Sequence, residues 1–294
     1  MQTKDIQFDQ DTEVAERTFY KNAPTAVQGA GTWHSFWKAT GLPGAGVDPS
    51  SAQRAFSSDA FPINAPAAAI LFPKLSTGGI VLPAKQRGGG LRYLQSFGIM
   101  CSQVGSIMLY DRVTDVDGLA LDSVSAQTTC ATLAANLVQR YANEGALEAA
   151  KLEAWVELTV ATSVAAPTLQ AHLYTNQDGV SGRVGVATAV PATAVVAGSM
   201  LPIALQGDDC GVQSVQGVTV GGTGSTAAAK ANIVILKTLL IIPIPTANVW
   251  VQVDPAILAK VGRIKDGAVL ALAQMNASGT TPAKLQGKAL FSYN

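Results

Sequence analysis

Apolar and polar residues alternate with period two along several stretches of the chain. Leu152, Ala154, Val156, Leu158 and Val160 face one way, and Glu153, Trp155, Glu157 and Thr159 the other. That is the period of a half-buried strand. Leu169, Ala171, Leu173 and Thr175 repeat it against Gln170, His172 and Tyr174, and the run ends in the polar turn Asn176-Gln177-Asp178-Gly179. Residues 212–220 alternate again. Residues 233–244 are too continuously apolar for a half-exposed strand, which predicts a central strand covered on both faces, with Lys237 reaching solvent or an acidic partner. Runs at 91–101, 107–116, 249–253, 269–274 and 285–293 complete the set, and Asp117-Gly118 marks a turn. Residues 123–139 fit a short helix and an irregular excursion equally well. Many short strands parted by Gly, Pro and Ser predict an all-β fold. The expected architecture is an antiparallel β-sandwich, jelly-roll-like, occupying residues 76–294. No Cys-Trp-Cys core signature supports an immunoglobulin-like alternative.

Residues 1–75 read differently, as an extended N-terminal arm and connector. The polar stretch 11–20 has helical character, with Asp11 or Thr12 capping a turn that carries Val14, Arg17 and Thr18. Residues 31–46, GTWHSFWKATGLPGAG, place Trp33, Phe36 and Trp37 at i, i+3 and i+4, on one face of a helical turn. An isolated turn cannot bury that much aromatic surface. Its cover is either the chain's own body or a neighbouring subunit, where Trp and Phe are enriched. Pro43, Pro49, Pro62 and Pro66 among Ala and Ser make residues 43–68 an extended connector. The connector separates the rings from the body, so Trp33, Phe36 and Trp37 are the candidate docking residues.

Composition strengthens the assembly reading. Of 294 residues only 14% are charged while 48% are hydrophobic, and mean hydropathy is positive at +0.25. A lone domain with so few charges invites association. Twenty basic residues balance twenty acidic ones, so no strong field draws the chain to nucleic acid or an anionic membrane. The charged N-terminus predicts no signal peptide, and the apolar run at 233–245 falls short of the ~20 residues of a membrane helix.

The search for chemistry ends without an enzyme signature. His34 and His172 stand far apart, outside any metal-ligand or HExxH spacing, and no GxSxG elbow accompanies them. Asp111, Asp115, Asp117 and Asp122 form an acidic neighbourhood, with Asp208-Asp209 a smaller one. They read as solvated turn carboxylates, with calcium as the sharper alternative, although the distal bidentate Glu of a calcium loop is missing. The glycine clusters at 88–90 and 221–224 lack the setting and lysine of a phosphate loop. Cys101, Cys130 and Cys210 show no CxxC or disulfide framework and read as buried free thiols, with a Cys101–Cys210 bridge as the alternative. No metal or cofactor is expected.

Four segments, GTWHSFWKATGLPGAG, LYDRVTDVDGL, LQAHLYTNQDGVSGR and LQGDDCGVQSVQGVTV, together resemble a family of tailed-bacteriophage virion structural proteins of the minor head or capsid decoration type. The resemblance spans much of residues 31–240 in the same order, and TNQDGVSGR is its most specific part. It implies a virion component on the capsid exterior, without enzymatic activity and without catalytic residues to transfer. The expected function is capsid decoration or cement. The expected partners are the major capsid protein and copies of the chain itself, as a homo-oligomer, a trimer in the first instance. A tail, collar or fibre component is the structural rival. The rival from another class is a carbohydrate-binding or carbohydrate-cleaving module, for which Trp155, Trp250 and Tyr174 are the candidates.

Overall fold

The computed structural model describes residues 13–23, 29–46, 54–55, 79–80, 82, 92–128, 141, 152–161, 167–190, 196–222, 228–265, 268–277 and 283–293. In chain order the elements begin with β1 (Glu13–Lys21), β2 (Trp33–Ser35), β3 (Gly41–Leu42) and β4 (Arg54–Ala55). Then come β5 (Arg92–Cys101), β6 (Gly105–Ala120), β7 (Ala126–Gln127), β8 (Leu152–Leu158) and β9 (Pro167–Asn176). They continue with β10 (Thr188–Ala189), β11 (Ser199–Pro202), β12 (Val212–Gly222), β13 (Lys230–Ile244) and β14 (Trp250–Gln252). Helix α1 (Pro255–Val261), capped by the Asp254 carboxylate, precedes β15 (Arg263–Ile264), β16 (Leu270–Asn276) and β17 (Leu285–Tyr293). The fold is all-β and antiparallel, with sheets packed face to face.

The largest sheet runs β13-β8-β11-β2-β16-β6-β4, and β13 also pairs with β6. The pairings therefore return on themselves: β6, β13, β8, β11, β2 and β16 form a closed ring. A ring this small has room inside only for side chains. Alternation then sorts each strand into an inner and an outer set. Met108, Tyr110, Trp155, Met200, Val234, Leu236, Ala271 and Ala273 belong to the interior cluster, and the half-buried Trp33 packs against it. The outer faces carry two further cores. Sheet β10-β9-β12-β7 packs on Leu152, Val156 and Ile233, and sheet β14-β5-β17-β1-β3 packs on Ile107, Leu109, Leu240 and Leu272.

Closure of the ring explains two departures from simple alternation. Strand β8 is buried on both faces, because Trp155 and Glu157 point into the ring rather than to solvent. Strand β13 is covered on both faces only from Ala231 to Lys237, the stretch that pairs with both β6 and β8. Beyond it β8 has ended, and Ile241 and Pro243 are exposed while Ile242 and Ile244 remain buried. Pro243 sits where the outer edge makes no demand on its missing N–H.

Other local expectations are corrected. Residues 13–21 are a strand, not a helical turn, and pair in unbroken register with β17 from Glu13↔Tyr293 to Lys21↔Leu285. The boundary drawn near residue 75 fails for the same reason: β1, β2 and β3 belong to the sheets. Of the connector, residues 47–53 and 56–68 lie outside the described residues. Asp117-Gly118 does not end a strand, since β6 continues to Ala120 with Gly118 at φ 112°, a backbone state that glycine enters freely. Residues 126–127 form β7, and 129–139 lie outside the described residues. In β9, Leu169 and Ala171 face the core as expected, but Tyr174 replaces Leu173 there. A register shift opposite Gly217 inserts one residue and reverses the phase.

Candidate functional site

The ring encloses an ionic centre. Arg112 leaves β6 on the inner side, and Asp115 follows it past a register shift in the β6–β13 ladder. Glu157 approaches from β8. The Arg112 Nη2 donates to Glu157 Oε2 at 2.6 Å and to Asp115 Oδ2 at 2.7 Å, while Nε donates to Asp115 Oδ2 at 3.0 Å. All three side chains are buried. The Trp37 indole closes the group from one side, with the guanidinium carbon 4.6 Å from its ring centre. Trp37 is itself fixed: its N–H donates to Ser35 Oγ at 3.1 Å, and its carbonyl accepts from Gly46 N–H at 2.7 Å. A Cβ at Gly46 would lie 2.4 Å from the indole, so only glycine lets the chain pass there.

Electrostatics keep this centre charged. Burial works to raise the Glu157 carboxyl, but the Arg112 charge and hydrogen bond, with help from Ser35, outweigh it and hold the group below the usual range. Burial likewise opposes the Arg112 cation, and the Glu157 and Asp115 carboxylates more than offset it. Burial pushes the Tyr110 hydroxyl up to about 12 and lowers His34 to about 4, the latter only partly countered by Glu157. Each carboxylate is engaged by a fixed cation, which suits this centre to holding β6 and β8 in register.

The docking residues proposed from sequence lie elsewhere than expected. Trp33 is on β2 and packs against the interior cluster, Trp37 is fully buried beside Arg112, and Phe36 is fully buried in the core beneath β5 and β17. The helical spacing does not apply, because Trp33 is in a strand and the chain turns at Trp37–Lys38, closed by the Ala39 N–H donating to the Phe36 carbonyl at 3.1 Å. The cover over these rings is the chain's own body. His34 points outward from the ring beside Gly198, whose missing Cβ makes room for the imidazole. His172 meets Thr219 Oγ1 at 3.2 Å on the outer face of β9. Cys101 is a buried free thiol, pushed up to about 11 by burial, and Cys210 is free and exposed. Cys130 lies outside the described residues.

The acidic neighbourhood is mostly not solvated. Asp115 belongs to the ionic centre. Asp111 faces outward from the ring, where it accepts from Tyr141 Oη at 2.6 Å and from Val269 N–H at 2.9 Å, and Lys237 lies over the same Tyr141 ring at 4.7 Å. Only Asp122 keeps the turn surroundings expected of the group, and Asp117, half-buried in β6, accepts from the Gly118 N–H at 2.7 Å. Among the described residues no cluster of three or more metal-ligating side chains occurs. Asp209 gathers the tip of β9: it accepts from Asn176 Nδ2 at 2.8 Å, from Arg183 Nε at 2.9 Å and from the Tyr174 hydroxyl. Sequence reasoning overlooked Arg112, Asn176 and Arg183, because isolated polar residues carry no signal until the ladder brings them to their partners. Of the three carbohydrate candidates, Trp155 and Tyr174 are buried and Trp250 is exposed.

No protein-family model matches the chain, and no curated protein matches it. Among solved structures it is similar to the infectious bursal disease virus VP2 subviral particle, at 10% identity and a TM-score of 0.17. The alignment covers 96% of this chain and 66% of that one. A structure of the Gt strain of the same virus aligns over 96% and 66% at 11% identity, with a TM-score of 0.14. The chain thus spans just under two thirds of those neighbours' length, and at these scores its function has to be read from its own residues.

Proposed function

We propose that this chain is a virion structural protein that decorates a capsid from outside, docked on the major capsid protein and on copies of itself as a trimer. One observation carries this reading: charged side chains are buried in the ring while apolar ones stand exposed in a group. Arg112, Asp115 and Glu157 are drawn into the ring, while Leu173, Val180, Val184 and Val186 stand exposed at one edge of the β9 sheet. The Tyr174↔Arg183 bridge brings Val184 alongside Leu173. Such a patch loses its contact with water when a neighbouring subunit covers it. The low charge of the whole chain and the resemblance to tailed-phage virion proteins support the same reading. Cementing needs no catalytic step and no cofactor. Each contact of standard size buries about 800 Å² per partner, and repetition over a shell multiplies the hold.

The test is cryo-electron microscopy of purified particles. Density for the ring and its two flanking sheets on the outside of the head is the expected result. Density confined to the tail or collar, or absence from the particle, overturns the proposal.

A further inference from the structure

On the outer face of sheet β14-β5-β17-β1-β3, cross-strand register aligns one residue from each strand: Trp250↔Met100, Met100↔Gln286, Gln286↔Tyr20 and Tyr20↔Leu42. Residues directly opposite in a ladder share a face, so these five form a straight row. Trp250, Tyr20 and Leu42 are 42%, 51% and 49% exposed. From Trp250 to Tyr20 the row crosses three strand spacings, about 14 Å, which is the length of a few linked pyranose rings.

The tryptophan is seated. Its six-membered ring occupies the space above Gly98, where a Cβ would fall 2.3 Å from Cζ2. Its indole N–H is directed at Gln252 Oε1 at 3.4 Å, and Gln252 is tied in turn to Ser96 Oγ at 3.0 Å and to the Phe97 carbonyl at 3.1 Å. A ring laid on bare backbone keeps its far side open at little cost in side-chain freedom. Between the two aromatics lies the amide of Gln286. The five residues of the row are themselves uncharged, and in the next row Lys288 pairs with Glu16 at 3.2 Å.

We infer that this row is a binding strip for an uncharged polysaccharide chain, with sugar faces stacked on Trp250 and Tyr20 and hydroxyls meeting Gln286. Its size argues against a second copy of the chain. A strip about 19 Å long and one residue wide offers on the order of 150 Å², far below the ~800 Å² per partner of a stable protein interface. Its neutrality argues against an acidic glycan.

Affinity electrophoresis of the full chain through gels containing dextran, mannan or hydroxyethylcellulose tests this, with alginate as the acidic comparison. At least one neutral polymer is expected to retard the protein. Trp250→Ala and Tyr20→Ala should each weaken that retardation about tenfold, with the melting temperature unchanged, and Trp250→Tyr should retain most of it. Retardation by none of the neutral polymers, retardation by alginate alone, or retardation that survives both alanine variants overturns the inference. So does a change in sedimentation of the unliganded protein in either variant, which would make the strip a contact between copies.

Discussion

Arg112 and Trp37 are packed face to charge, 4.6 Å apart, inside a ring of strands that admits no solvent to either. The cation has a carboxylate on each remaining side and an aromatic face over it. Removing it takes the guanidinium away from Asp115 and Glu157, both buried. Arg112→Ala is therefore expected to cost at least about 3–5 kcal/mol, measured by urea denaturation. The combined replacement Arg112→Met, Asp115→Leu, Glu157→Met should recover much of that loss. A stable, cooperatively folded Arg112→Ala protein would show the ring interior to be hydrated.

Trp37→Ala should also unfold or severely weaken the protein, because truncating a buried large aromatic typically costs about 3–5 kcal/mol. A docking residue would behave in the opposite way, leaving the melt untouched and only assembly impaired. Thermal melts of the isolated protein separate the two.

His34 makes stability depend on pH. Its folded pKa of about 4 lies below the ordinary 6.5, so between those values the unfolded chain binds a proton that the folded chain does not. Stability attributable to His34 is complete above the window and falls as pH drops through it, by up to about 3 kcal/mol. His34→Gln should reduce the drop in urea midpoint between about pH 7 and about pH 4.5. Equal drops in variant and parent would mean that other groups account for all of it.

Strand β13 offers a neighbouring-residue contrast. Ile241 is 54% exposed and Ile242 is 3% exposed. Ile241→Asp should leave a soluble, folded protein, whereas Ile242→Asp buries a charge in the core beneath β5 and should abolish folding. Expression and circular dichroism of the pair provide the check, and equal behaviour would mean that the end of β13 is packed differently.

At the tip of β9, Asp209→Ala strips the acceptor from Tyr174, Asn176 and Arg183. Leaving such donors unpaired costs about 1–3 kcal/mol. The effect should be local, seen as faster amide exchange over 174–183 with the ring protected. Uniformly faster exchange would contradict that locality.

The strands with one packed face were legible in the sequence, and β17 was read to the residue. What remained hidden is mostly the ring. Its closure depends on β2 and β11, three and four residues long, too short for any periodicity to register. Without them Trp155 and Glu157 look like an outward polar face. Strand β1 was misread because its inward row is Ala15, Arg17, Phe19 and Lys21, in which charges mask the period of two. Lys21 is nonetheless buried, donating to the carbonyls of Ala39, Pro43 and Gly44 at 2.9–3.1 Å, a set of acceptors that no local pattern announces. The docking residues were misplaced for a related reason: proline in the following segment suggested separation from the body, whereas the backbone of β2 was already part of it.

The pairing of β1 with β17 bears on when the protein can fold during synthesis. Along nearly its whole length β1 has no ladder partner among the described strands except β17, and that strand is made long after β1. On the ribosome β1 must wait, with Phe19 uncovered, until β17 leaves the exit tunnel, because closing so distant a contact comes late. The sheet that presents Trp250 and Tyr20 is thus completed only once β17 has emerged, and any surface it carries matures later than the ring strands made before it.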